Sequence, residues 1–414
     1  MKAASERSIL LVIWLVQFVN VLDFVIVMPL GPDFAQALHF SKSSVGTISS
    51  AYAIAAALSG LVASQFLDRF DRRTALTLAL SGLATGTALG ALAHSFWGLV
   101  AARFVAGLFG GPATSLSFSI VADTVPPERR GRALGIVMSS FSLATSIAVP
   151  IGVRLALGGR WWLPLVAVAA LGLIVTQLSH ALLPPMRAHI PVQLAPMHAH
   201  IRKDTWRIAG GFDLLARRPV QLSYGMTALV MMAGFLLIPN ISAFTQANFG
   251  FPRANLHYLY FAGGLASFIS LFFVGRLVDR LGAFAVGTPG VLVLACINMV
   301  WFFFDHHWSQ IGVYVLYVSF MATMPFRNVP YNTLTSRVPR PEERARFLSI
   351  QSSIMHIASA SGALISSRLL AVGPFGELLG MKPVAALSIG LSLLLPLFFR
   401  AVQKEVSAKP ESGG

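Results

Sequence analysis

About twelve apolar stretches in this 414-residue chain are long enough to cross a bilayer as helices. Crossing about 30 Å of hydrocarbon takes roughly 20 apolar residues at 1.5 Å each. We place the spans near residues 9–31, 43–66, 74–93, 96–121, 132–156 and 161–183, then 220–246, 256–277, 283–304, 309–335, 346–372 and 382–400. Hydrophobic residues make up 55% of the chain and charged ones 11%, with mean hydropathy +0.71, which excludes a soluble globule. The first run is too long, and too polar in its middle, for a cleaved signal. The single cysteine, Cys296, falls inside a span, so there is no disulfide framework, and packing is its expected role.

The chain also repeats itself. Ser64-Gln-Phe-Leu-Asp68-Arg69-Phe-Asp71-Arg72-Arg73 is echoed by Gly275-Arg-Leu-Val-Asp279-Arg280-Leu-Gly282, with the aspartates 211 residues apart. Val125-Pro-Pro-Glu-Arg-Arg-Gly-Arg-Ala-Leu-Gly-Ile136 is echoed by Val338-Pro-Arg-Pro-Glu-Glu-Arg-Ala-Arg-Phe-Leu-Ser-Ile350 at nearly the same offset. A duplicated membrane half is the mark of a secondary transporter. The expected architecture is all-α: a six-helix bundle over 1–183, a linker over 184–219, a second bundle over 220–400 and a tail over 401–414.

The net charge of +15 is distributed as membrane topology demands. With both termini in the cytoplasm, 23 of the 31 Lys and Arg residues fall in cytoplasmic loops, tails or the span ends beside them, and only Lys42, Arg160, Arg253 and Lys382 in outer loops or at their edge. No basic groove for nucleic acid is expected. In the linker, Pro184, Pro185, Pro191 and Pro196 break helix, and 198–218 reads as a basic amphipathic helix on the cytoplasmic leaflet. His189, His198 and His200 lack companions at ligand spacing, so no metal is expected. Nor is any cofactor. Walker-type loops and nucleophile elbows are absent, against ATP-driven transport or hydrolysis, and no enzyme is expected.

These loop motifs resemble the major facilitator superfamily, whose hallmark between helices 2 and 3 reads Gly-x-x-x-Asp-Arg-x-Gly-Arg-Arg/Lys. Asp68, Arg69, Arg72 and Arg73 match it, while Ser64 and Asp71 stand in place of glycines; the second copy keeps Gly275, Asp279, Arg280 and Gly282. Leu22-Asp23-Phe-Val-Ile-Val-Met-Pro29-Leu-Gly31-Pro32, Ile238-Pro239-Asn240-Ile-Ser242 and Tyr260-Phe-Ala-Gly263-Gly264-Leu-Ala-Ser267 look like the bacterial drug and sugar efflux branch. The resemblance implies a bacterial inner-membrane transporter acting as a monomer. It also implies that Asp68, Arg69, Arg72, Arg73, Asp279 and Arg280 gate it through a charge relay between the halves. Positive-inside anchoring at a tight turn is the simpler account of the same residues. The helix-5 glycines of drug antiporters are replaced by Thr145, Val149, Val153 and Arg154, leaving Pro150 alone, which weakens the export reading.

Charge inside the membrane is costly and therefore functional by default. Of 16 acidic residues only Asp23 lies well inside a span, roughly 12 Å deep in helix 1, on one stripe with Gln17 and Asn20. Arg103 in helix 4 lies about 10 Å deep and is expected to face Asp23. Such a pair makes either a proton switch or a permanent lock between two helices. Arg327, near the midplane of helix 10, has Pro325 and Pro330 beside it, so an interrupted helix is expected there. It serves the substrate cavity or caps freed carbonyls. Arg154 and Arg368, 214 residues apart, both fall near the outer boundary, as snorkelling side chains or as a cationic pair at the outer mouth.

Asn20, Asn240, Gln246, Tyr260, Asn328 and His356 join Arg327 as candidate substrate contacts, with His356 equally readable as packing. The expectation is proton-coupled export of a small organic compound by alternating access, with substrate, protons and the bilayer as partners. The alternative is uptake or exchange of an anionic metabolite on the membrane arginines.

Overall fold

The computed structural model describes residues 6–66, 70–186, 214–304, 308–340 and 343–407. The first half runs through α1 (Glu6–Ile26), short α2 (Gly31–Ala37), α3 (Val45–Phe66), α4 (Arg72–Ala91), α5 (Phe96–Thr124), α6 (Pro127–Leu143), α7 (Val149–Leu155) and α8 (Leu163–Leu182). The second runs through α9 (Arg218–Leu237), α10 (Ile241–Phe249), α11 (Leu256–Leu281), α12 (Ala283–Phe303), α13 (Gln310–Ser336), α14 (Arg344–Leu369), α15 (Met381–Leu393) and α16 (Leu395–Ser407). Among the described residues, eleven helical segments are long and apolar enough to cross a membrane. The remaining pass is α13, which has the length, 27 residues, but carries Arg327, Asn328 and Asn332. Leu78, Leu173, Ile174, Phe272 and Phe273 stand exposed on the bundle's flank, as lipid-facing residues do.

Proline decides where spans bend. Span 1 leaves its helix after Ile26, ahead of Pro29 and Pro32, and resumes as α2. Span 7 does the same 210 residues later, where Pro239 sits in the tight turn Ile238–Asn240 between α9 and α10. Span 5 passes through a wide π turn, Ala144–Ala148, just before Pro150. Span 10 departs from expectation. Pro325 and Pro330 lie inside one continuous helix, because a membrane interior penalises further unpaired backbone and neighbouring helices hold α13 in place. Span 11 ends at Leu369, and Ala371–Val372 (β1) pairs antiparallel with Leu378–Leu379 (β2).

Helices approach closely where glycine allows it. A side chain at Gly107 or Gly111 of α5 would strike the carbonyls of Tyr52 or Ala56 on α3. Between the halves, a Cβ on Gly264 of α11 would come within 2.6 Å of the Ser146 Cα in the π turn.

Three apolar cores result. One draws on both halves, with Leu30, Phe34, Ile48 and Val153 packed together with Leu236, Phe251, Leu256 and Leu370. The second belongs wholly to the first half, around Ile13, Leu80, Leu116 and Val137. The third belongs wholly to the second half, around Val230, Val278, Phe347 and Phe399. The shared core lies away from the chain ends, and the separate ones lie toward them. We call these the far side and the terminal side. Most of the linker, 187–213, and with it the amphipathic helix and the three histidines, lies outside the described residues.

Candidate functional site

Asp23 and Arg103 meet inside the first bundle. Arg103 donates from Nη1 to Asp23 Oδ1 at 2.8 Å and from Nη2 to Oδ2 at 2.9 Å, and Nη2 also reaches the Asp23 carbonyl at 2.9 Å. Asp23 sits in the last turn of α1, where carbonyls lack helical partners, which explains the third bond. Thr87 of α4 donates to Asp23 Oδ1 at 2.6 Å. The guanidinium stacks over the Tyr52 ring, 4.8 Å from its centroid. Asp23 is 0% exposed and Arg103 1%, so the two touch with no cavity between them. Thr87 and Tyr52 were not foreseen. A threonine in a Leu-Ala-Thr-Gly-Thr run and a tyrosine on the next helix carry no signal without the packing.

Asn20 belongs to the same network. It accepts from Tyr52 Oη at 2.7 Å and donates to the Gly110 carbonyl and Thr114 Oγ1, so its bonds stay within the first half. Next to Asp23, Phe24 turns toward the other half, stacking on Phe235 at 5.4 Å and meeting the edge of His356 at 5.9 Å.

In the second half Arg327 is 4% exposed. Its Nε donates to Asn328 Oδ1 at 3.2 Å and its Nη2 approaches Met324 Sδ at 3.3 Å. Across from it lies Gly234 of α9, where an added Cβ would be 3.6 Å from Nη2. Asn240, at the break in span 7, donates to Ser366 Oγ at 2.7 Å, while its buried Oδ1 has no hydrogen-bond partner. Gln246 bonds back to Ser242 at 3.1 Å, and Tyr260 packs on Tyr317 with ring centroids 5.2 Å apart. The candidates therefore do not gather at one point. Arg327, Asn328 and Gly234 lie together, while Asn240 is bonded to Ser366 and His356 meets Phe24 of the first half.

Among the loop residues, Asp68 and Arg69 lie outside the described residues. Arg72, buried at the start of α4, donates from Nε to Asp123 Oδ2 at 3.1 Å at the end of α5, a contact within the first half. Arg73 donates to the Leu183 carbonyl. Asp71, which replaces the expected glycine, caps α4 by accepting the Arg73 and Thr74 amides. Asp279 and Arg280 are exposed at the end of α11. Glu343, beside the start of α14, accepts the Arg340 amide at 2.9 Å and the Arg217 guanidinium. Partial burial works against its charge, but these donors hold its carboxyl below the usual range. Arg154 and Arg368 are both exposed in the last turns of α7 and α14, and Cys296 is exposed on the flank of α12.

The far side holds a closure that the sequence did not announce. Asp33 of α2 accepts Arg253 Nε at 2.8 and 3.1 Å, and Arg253 Nη2 donates to the Val153 carbonyl at 3.2 Å. Ser242 Oγ donates to the Pro29 carbonyl, Ser50 Oγ to Ala360 and Ser146 Oγ to Gly264. Each of these bonds joins one half to the other, and all lie in the far half of the bundle.

The major facilitator superfamily model matches residues 13–363. NepI, a purine ribonucleoside efflux pump of Escherichia coli, is 27% identical over 391 residues, covering 93% of this chain and 91% of the pump. A chloramphenicol efflux pump of Mycobacterium tuberculosis is 27% identical over 270 residues, 64% of this chain and 62% of that one. Among solved structures, a D-xylose–proton symporter aligns with TM-score 0.73 at 15% identity, over 95% of this chain and 97% of that one. A bacterial homologue of the lysosomal transporter Spinster, inward-facing and occupied, also aligns at 0.73, with 16% identity over 99% and 100% of the two chains. On its twelve membrane passes, its duplicated halves and the span of the family match, this chain is a multi-pass membrane transporter that belongs to the major facilitator superfamily.

Proposed function

We propose that the protein exports a small organic compound from a bacterial cytoplasm in exchange for protons, by alternating access. The observation that carries this reading is the sealed cluster of Asp23, Arg103 and Thr87, built on the one acidic residue deep inside any span. A proton arriving on Asp23 removes the negative half of the pair and releases Arg103 from it, and loss of that proton restores the bond. The charge asymmetry of the loops supports assigning the terminal side to the cytoplasm, with both termini there. The far-side closure and the shared core then make this a state shut to the outside. In it Asp23 has given up its proton inward and substrate enters between the separate cores of the two halves. Switching opens the far side, substrate leaves, and a proton from outside resets Asp23. Efflux relatives support the direction, and the missing helix-5 glycines weigh against it.

The test uses inside-out vesicles with an acid lumen, challenged with cationic drugs, sugars and organic anions. Particular compounds should dissipate the gradient in wild type and not in Asp23→Asn. Asp23→Asn protein that still concentrates substrate against a gradient would sink proton coupling, and labelled-anion flux with no pH response would favour uptake or exchange.

A further inference from the structure

The duplication exposes an asymmetry between the halves. The breaks at Pro29 and Pro239 are 210 residues apart and the loop aspartates Asp68 and Asp279 are 211 apart. Carried over by those offsets, Asp23 of span 1 corresponds to Ala233–Gly234 of span 7. The first half puts a carboxylate in that turn. The second half puts small residues there, and across from Gly234, 3.6 Å from where a Cβ would begin, stands the Nη2 of Arg327.

Arg327 has little to balance it. Its polar contacts among the described residues are the Asn328 amide oxygen and the Met324 sulfur, both uncharged. A guanidinium has five N–H donors, and two neutral acceptors leave most of them unused. No Asp or Glu occurs within any span of the second half. Asp23 is not available either, since both its oxygens are taken by Arg103 and Thr87. A cation 4% exposed in a membrane protein, with no counter-ion among the described residues, is what a site for an anion looks like before the anion arrives.

We propose that Arg327 is the counter-ion for an organic anion, whose carboxylate or similar group lies over Gly234 where the first half would place its own aspartate. This rests on the transport reading above and adds the substrate's chemical class: a small compound with one anionic group on an apolar body. The planar fork of Arg327 takes a carboxylate through two parallel N–H bonds, which Lys cannot reproduce. Gly234 places no side chain between its backbone and Nη2, and Asn328 holds the guanidinium through Nε.

Equilibrium binding to the full-length protein in nanodiscs tests this without requiring turnover. The probes are benzoate, salicylate, 1-naphthoate and 4-phenylbutyrate, each beside its neutral amide, with affinity read by calorimetry. At least one carboxylate should bind wild type ten-fold or more tighter than its amide. Arg327→Gln should erase that preference and Arg327→Lys should weaken it. Gly234→Asp keeps the arginine and supplies the missing acid, so it should lose carboxylate binding at least ten-fold while melting no lower than wild type. If none of the carboxylates binds, if acids and amides bind alike, or if the preference survives in either Arg327→Gln or Gly234→Asp, the proposal is overturned. Proton coupling fails separately: carboxylate binding that persists while Asp23→Asn transports like wild type would remove the coupling role alone.

Discussion

Asp23 has zero exposure, and every oxygen of its side chain, with its carbonyl, accepts a hydrogen bond from Arg103 or Thr87. Such a pair stabilises little against apolar replacements of similar size, yet losing one partner costs about 3–5 kcal/mol, because the other charge is stranded. Arg103→Met alone should therefore destabilise the protein by about that amount in thermal unfolding. The double change Asp23→Leu with Arg103→Met should recover most of it, since Thr87 keeps the Leu83 carbonyl 2.9 Å away as an acceptor. If the pair is only a lock between helices, this stable double variant should still transport against a gradient. If it is the proton switch, transport should become purely downhill. The sequence displayed the two charges and their matching depths, because ionisable residues are rare in apolar spans. It did not display Thr87 or Tyr52, whose roles exist only once α3 and α4 pack beside them.

At the scale of helices, proline accompanies the breaks in spans 1 and 7 and the π turn in span 5, none of them anticipated from the sequence. The interruption expected in span 10 is absent: α13 stays continuous around Pro325 and Pro330. The difference is the neighbourhood. Spans 1 and 7 break in the far third, where the Ser242 hydroxyl and Pro29 carbonyl meet across the halves, whereas α13 is packed along its length. The Asp33–Arg253 latch was equally illegible, since an aspartate and an arginine 220 positions apart in outer loops look like ordinary solvated charge. We expect Arg253→Gln to weaken far-side closure by about 1.5–3 kcal/mol, the range for hydrogen bonds to charged groups, or roughly ten- to a hundred-fold in the open-to-closed ratio. Thr245→Cys, fully buried in α10, reports it in a Cys296→Ser background through its rate of modification by an impermeant thiol reagent. The reversed pair Asp33→Arg with Arg253→Asp should bring the rate back toward wild type, and unchanged labelling in all three would mean the latch does not hold the gate.

For the molecule as a whole, the decisive arrangement is one core shared by both halves at the far side and two private cores at the terminal side. Packed interiors are bistable rather than elastic, so a motion that opens the far side must split the shared core along a surface already defined by small residues and single hydrogen bonds. Twelve passes in two halves could be read from the amino acids, because hydropathy and the repeated loops record them. Which side was shut could not, because Gly46, Ser50 and Ser146 are unremarkable until their partners Ala363, Ala360 and Gly264 arrive from the other half. That surface can be fixed chemically. Ser50 Oγ lies 3.2 Å from the Ala360 carbonyl, so cysteines at 50 and 360 should be bridged by a short bifunctional thiol reagent in the state described here. Bridging should stop transport almost completely and should slow as substrate turnover populates the opposite state. A reducible reagent should return activity when cleaved. Undiminished flux in fully bridged protein would mean that the halves do not part at this seam, and that alternation, if it occurs, runs through a different one.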